Sequence, residues 1–92
     1  MKVRWTFAAR DDLEGAISYV AERNPDAAEA LLDRILDAAD LIADGRFDGP
    51  PAELTWAPDA RVWLVAPFRL YYRREHDVLV VLRLYHVRQR PL

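Results

Sequence analysis

Glu53, Arg69 and His86 are the residues of this chain whose types can do chemistry together. A carboxylate base, a guanidinium that neutralises charge developing on a phosphorane, and an imidazole acid suffice for RNA to be cleaved by its own 2′-hydroxyl without a metal ion. Each also has a plain structural reading: Glu53 as a surface carboxylate, Arg69 as a cation on a sheet face, and His86 as a strand-end histidine bonded to backbone. For His86 the structural reading is preferred. Other chemistries have too few residues. His76 and His86 are the only histidines, cysteine is absent, and no HExxH or comparable spacing occurs, so no metal site is expected. Ser18, the only serine, lies inside a helical pattern and outside any GxSxG setting. "DGRFDGPP" follows neither the phosphate-binding nor the dinucleotide-binding glycine pattern, and no cofactor is expected.

A second group of residues can bind rather than react. In "FRLYYRR" strand periodicity places Arg69, Tyr71 and Arg73 on one face and Phe68, Leu70 and Tyr72 on the other, the second set facing the core. In "DVLVVLRLYH" Val78, Val80, Leu82 and Leu84 share one parity, while Leu79, Val81, Arg83 and Tyr85 share the other. Aligning the outward sets gives an uncovered basic and aromatic face of Arg69, Tyr71, Arg73, Arg83 and Tyr85, joined by Arg61 and Trp63, with His86 and Arg88 at the strand end. In that register Arg69 and His86 fall on opposite faces, and only a bulge or a frayed strand end brings them together. Arginine pairs with phosphate and tyrosine stacks on bases, which suits single-stranded RNA. The same residue types are enriched at the centres of protein interfaces. An ordinary half-exposed sheet, with arginine stems lying across tyrosine rings, would carry them too.

The elements that must hold these residues are legible in outline. "KVRWTF" reads as a short first strand. From about Ala8 to Arg23, Leu13, Ile17 and Val20 recur at helical spacing, Thr6 is a candidate cap, and Asp11, Asp12 and Glu14 sit near the end where the helix dipole favours anions. "NPDAA" marks a second helix: Asn24 caps, Pro25 suits the first helical position, and Asp26 adds charge there. Its apolar stripe is Ala28, Leu31, Leu32, Ile35, Ala39 and Ile42, and Gly45 ends it. Asp26, Glu29, Asp33, Asp37, Asp40 and Asp44 line the opposite side, a solvated face or a contact for a basic partner. After Pro51, "AELTW", "RVWLVA", "FRLYYRR" and "DVLVVLRLYH" read as antiparallel strands, the last central because "VLVVL" is apolar at successive positions. The expected fold is α+β: an N-terminal strand, an antiparallel helical hairpin, then a three- to four-stranded antiparallel sheet.

With 92 residues, the chain is expected to be a single domain, 1–92. Its net charge of −2 conceals a split. Residues 1–60 carry six Lys/Arg against thirteen Asp/Glu, net −7, and residues 61–92 carry seven Arg against two acids, net +5. The basic half is where a binding surface is expected. Absence of cysteine fits a reducing compartment, and "MKVRWTF" lacks the apolar core of a signal peptide, so a cytoplasmic location is expected. No apolar run approaches the roughly 18 residues that cross a bilayer, and no membrane partner is expected.

Three stretches, "AARDDLEGAISYV", "NPDAAEALLDRI" and "FRLYYRREHDVLVVLRLYHVRQRP", resemble the ParE branch of the RelE/ParE superfamily, toxins of bacterial type II toxin–antitoxin modules. The resemblance runs from about Trp5 to Pro91, strongest in the "A..DL..I..Y" helix, the "NP.AA" opening and the "YHVRQRP" strand end. It implies a small toxin held in a hetero-oligomer by a cognate, ParD-like antitoxin whose C-terminal segment lies along it as a helix or added strand. Leu13, Ile17, Leu31 and Ile35, at their exposed rims, are the expected antitoxin contacts. ParE-like members are associated with inhibition of DNA gyrase, which makes a non-enzymatic inhibitor the leading expectation. RelE-like members cut messenger RNA on the ribosome, and there the Glu, Arg and His set corresponds to Glu53, Arg69 and His86. Such members are strongly basic, whereas this chain is mildly acidic with Lys2 as its only lysine. A non-toxic relic that still binds an antitoxin is the third alternative.

Overall fold

The computed structural model describes residues 1–90 and 92; Pro91, where the resemblance ends, lies outside the described residues. Six elements follow one another: β1 (Lys2–Trp5), α1 (Phe7–Ala21), α2 (Pro25–Ala43), β2 (Arg61–Val65), β3 (Phe68–Glu75) and β4 (Val78–His86). The strands form one sheet in the order β1-β4-β3-β2. The expected α+β class holds, with one correction to strand direction. β2, β3 and β4 are antiparallel, but β1 runs parallel to β4, with Lys2 opposite Val78 and Trp5 opposite Val81. The helical hairpin and the later strands lie between β1 and β4 in the chain, so the connection is long enough for a parallel pairing that no tight turn could make.

Both helix starts use the expected caps. Thr6 accepts from the Ala9 N–H at 3.0 Å, and Asn24 accepts from the Ala27 N–H at 3.1 Å. Each satisfies a backbone donor that the first turn leaves without an intrahelical partner. The buried face of α2 is Ala28, Leu31, Ile35, Ala38, Ala39, Ile42 and Ala43. It packs with Phe68, Leu70, Tyr72, Leu79, Val81 and Leu84 from one face of the sheet. Asp26, Glu29, Asp33, Asp37, Asp40 and Asp44 are all solvent-exposed, as the opposite side of an amphipathic helix requires.

"AELTW" is not a strand. Residues 50–60 form a strap of turns across the other face of the sheet, burying Leu54, Ala57 and Ala60 against Tyr71, Val80 and Leu82. Pro50, Pro51 and Pro58 offer no N–H to a ladder, and Glu53 takes a left-handed φ of 59° that a strand cannot accommodate. The strap roots on β2 through Val62 N–H donating to the Pro50 carbonyl at 3.0 Å, and closes on itself through Ala52 N–H to the Ala60 carbonyl at 2.9 Å.

Candidate functional site

A β-bulge decides which residues of β4 share a face with β3. Tyr71 lies opposite Arg83, but Tyr72 lies opposite Val81, so Leu82 is the extra residue. An inserted residue reverses the alternation on either side of it. Leu79 and Val81 therefore join Phe68, Leu70 and Tyr72 on the helix side, and Val80 and Leu82 lie beneath the strap. Simple parity assigned those four residues the other way round. Beyond the bulge the expected parity holds: Leu84 faces the helices, Tyr85 lies across from Arg69, and His86 lies across from Phe68.

The expected open face is partly covered. Tyr71 is buried by the strap, its ring edge-on to Tyr85 with centroids 6.4 Å apart. Arg61 and Trp63 lie across from Tyr72 and Leu70, which places their side chains on the helix side of the sheet. Trp63 stacks on Phe47 at 4.2 Å, and Arg61 donates to the Gly49 carbonyl at 2.7 Å and pairs with Asp48 at 3.5 Å. Arg73 reaches Glu75 at 3.1 Å and Asp59 at 3.9 Å. Arg83 donates twice to Asp12 of α1, at 2.8 and 3.0 Å, and this bonding, against some loss of solvation, raises its pKa further above its ordinary value. Of the group only Tyr71 is buried; Arg61, Trp63, Arg69, Arg73, Arg83, Tyr85 and His86 are half-buried and Arg88 is exposed, but the guanidinium groups of Arg61, Arg73 and Arg83 are already paired with carboxylates.

Asp48 organises a network that sequence reasoning missed. It accepts from the Tyr72 hydroxyl and from Arg74 at 3.1 Å, while the Gly49 N–H donates to the same Tyr72 oxygen at 2.7 Å. Burial alone would raise the Asp48 pKa, but the Tyr72 and Arg74 hydrogen bonds and the nearby Arg74 and Arg61 charges outweigh it and hold the carboxyl below its ordinary value. Burial, then the bond to Asp48, pushes the Tyr72 phenol up. The network ties the segment after α2 to the sheet. Asp48 and Gly49 lie in "DGRFDGPP", a stretch whose sequence points only to the end of the helix at Gly45 and to no known glycine-rich loop.

The three candidate catalytic residues are not brought together. Arg69 faces outward beside Val62 and Leu64, whereas His86 faces the helices with its ring edge-on to Phe68 at 5.3 Å. The His86 Nδ1 accepts the Arg88 N–H at 3.0 Å, the backbone-bonded state preferred for it. Glu53 is an exposed residue of the strap. Among the described residues no cluster of His, Asp or Glu is arranged to hold a metal ion, and no helix is long and apolar enough to cross a membrane.

His86 instead closes one end of an apolar groove of about 390 Å³ lined by Gly15, Ala16, Tyr19, Val20, Leu31, Pro67 and Phe68. Of the expected antitoxin contacts, Ile35 has no exposed surface because it fills the core between α2 and the sheet, whereas Leu31, also in that core and 7% exposed, still forms part of the groove wall. Leu13 and Ile17 are half-buried, with rims that reach solvent. Gly15, Ala16 and Tyr19 were not singled out from the sequence, and Val20 was read only as part of the apolar stripe of the first helix.

Comparison with known proteins agrees with this architecture. The family model described as the ParE toxin of the type II toxin–antitoxin system parDE matches residues 3–91. The candidate toxin Y4kP of Sinorhizobium fredii is 29% identical over 90 residues, covering 98% of this chain and 93% of that protein. A solved chain of a chromosomal ParDE toxin–antitoxin system from P. aeruginosa has the same fold, with a TM-score of 0.77 at 22% identity, over 94% of this chain and 95% of that one.

Proposed function

The chain belongs to the ParE toxin family of type II toxin–antitoxin systems, and from that premise we propose that a cognate ParD-like antitoxin holds it silent and that, once released, it stops growth by binding DNA gyrase. The observation that carries the non-catalytic reading is the separation of Arg69 and His86 onto opposite faces of the sheet. A general acid must lie within hydrogen-bond reach of the group it protonates, on the same bound substrate that the cation neutralises. A sheet stands between these two side chains, and one imidazole nitrogen, Nδ1, already accepts a backbone hydrogen bond.

The apolar groove between α1 and the β2–β3 turn is the seat of the antitoxin. Its walls, Phe68 among them, are almost entirely carbon, and its lining residue Tyr19 is 61% exposed. An amphipathic segment laid there gains by covering apolar surface that a soluble monomer otherwise leaves wet. Gyrase contact falls to the accessible residues of the opposite face and strand end, Arg69, Tyr85 and Arg88. The test is a supercoiling reaction containing purified gyrase and saturating toxin. Supercoiling should fail, and adding the antitoxin should restore it; unaltered supercoiling would contradict the reading, and new messenger RNA ends in a translating extract would redirect it to ribosome-dependent cleavage.

A further inference from the structure

The start of the chain is a basic island in an acidic half. Residues 1–10 hold Lys2, Arg4 and Arg10 and no acid, whereas residues 11–60 carry three Arg against thirteen Asp and Glu. Among the described residues, ion pairs are made by Arg23, Arg61, Arg73, Arg74 and Arg83; Arg4 and Arg10 belong to none. Both are exposed. Asp11 and Glu14, the next acids along α1, pair with neither.

The fold brings the two guanidinium groups to one cleft. Alternation along β1 turns Val3 and Trp5 toward the helix-side core and leaves Lys2 and Arg4 on the other face. β1 ends at Trp5 and α1 begins at Phe7, and three residues on, Arg10 is the neighbour of Phe7 on the helix surface. Arg4, Trp5, Thr6, Phe7 and Arg10 line a cleft of about 410 Å³. The Phe7 ring is 86% exposed, more than any other large apolar side chain among the described residues. Thr6 is already engaged, donating to the Leu82 carbonyl at 2.9 Å and accepting from the Ala9 N–H at 3.0 Å. Binding therefore falls to the two cations and the open ring.

We propose that the cleft at the junction of β1 and α1 binds single-stranded nucleic acid, with Arg4 and Arg10 on backbone phosphates and a base stacked on Phe7. Guanidinium groups bind phosphate with paired hydrogen bonds, and an aromatic face accepts any base, so the site is tolerant of sequence. It is tolerant of the sugar too, because the one hydroxyl proton in the cleft is spent on Leu82 and no other neutral polar side chain lines it. The strand is a ligand and not a substrate, since no carboxylate or imidazole lines the cleft. An acidic peptide is the poorer occupant, because it pairs with the cations and leaves the ring without a planar partner. An anionic membrane is poorer as well, because Phe7 is the only ring free to enter it, Trp5 being packed on the core. The proposal rests on neither the antitoxin groove nor the gyrase reading, with which it shares no residue.

The test follows the fluorescence anisotropy of labelled short thymidylate and uridylate oligomers with the full chain over a series of salt concentrations. Both oligomers should bind alike, and affinity should fall as salt rises. Arg4→Gln and Arg10→Gln should each lower the slope of log affinity against log salt by about 0.7, the counterion release of one phosphate contact on a single strand. Phe7→Leu, which keeps an apolar side chain but loses the stacking face, should weaken binding about tenfold with the slope unchanged, and Phe7→Trp should bind as the parent does. All three positions are exposed, so circular dichroism should show the fold intact in every variant. The proposal is overturned if neither oligomer binds, if only one sugar is accepted, if the slope ignores both arginines, or if Phe7→Leu binds like the parent. Thymidine monophosphate competing as well as the oligomer would overturn it too, as would polyglutamate or phosphatidylglycerol vesicles binding with the same dependence on Arg4 and Phe7.

Discussion

Asp12 and Arg83 join the first helix to the last strand across most of the chain. The carboxylate takes two bonds from the guanidinium and a third, at 2.9 Å, from the Leu84 N–H. β1 pairs with β4 only as far as Val81, so the edge beyond would be bare. Thr6 covers the Leu82 carbonyl at 2.9 Å, and Asp12 covers the next donor. The start of α1 thus completes the ladder that β1 leaves unfinished. Asp12→Ala should cost about 2 kcal/mol, the range for a charge-assisted pair and an orphaned backbone donor together. Asp12→Asn, which can still accept from Leu84, should cost visibly less; urea denaturation of the two variants checks the order.

Two glycines should respond in opposite directions. Gly15 lies in the interior of α1 with nothing within 4 Å of an added Cβ, so Gly15→Ala should stabilise the chain by about 0.5–1 kcal/mol through helix propensity. At Gly49 the added Cβ would sit 2.0 Å from the Val62 carbonyl oxygen. That contact cannot be relieved by turning a side chain, so Gly49→Ala should displace the strap root and lower the thermal midpoint by several degrees. Calorimetry on both variants measures this contrast.

The Asp48 network predicts a pH response. The folded-state pKa of Asp48 lies below its unfolded value, so its contribution is complete above about pH 4, the ordinary aspartate value, and fades as pH falls through the folded pKa. Asp48→Asn should flatten the acid limb of the stability profile, with little change in its slope near neutrality. Tyr72→Phe should destabilise at every pH below the phenol's own titration, because the Gly49 N–H is then buried without an acceptor.

How far these features were legible depends on whether the signal was local. Asn24-Pro25 and the apolar stripe of α2 are consecutive in the chain, and the helix and its buried face followed from them. The fate of the outer sheet face did not. It turned on Leu82, one unpaired residue that reverses parity, and on the strap that covers Tyr71. Neither has a signature in its own segment, since "DVLVVLRLYH" alternates equally well in two registers and "AELTW" has strand-like composition. The pairing of Asp12 with Arg83, 71 residues apart, is non-local in the same way.

The groove supplies a separate test of antitoxin recognition. Ala16 is a partly buried wall of the groove on α1. Ala16→Glu should leave growth arrest intact while weakening antitoxin binding about tenfold or more, by placing a charge where apolar surface is to be covered. Co-expression would then fail to rescue growth, and titration of the purified pair would give the affinity loss directly.

Whether this toxin acts by binding or by cutting is decided most directly in one induced culture, by following plasmid supercoiling and transcript ends together. The account predicts loss of negative supercoiling with no new messenger RNA ends, and the same arrest from His86→Gln. Unchanged supercoiling alongside new ends that vanish with His86→Gln would contradict it.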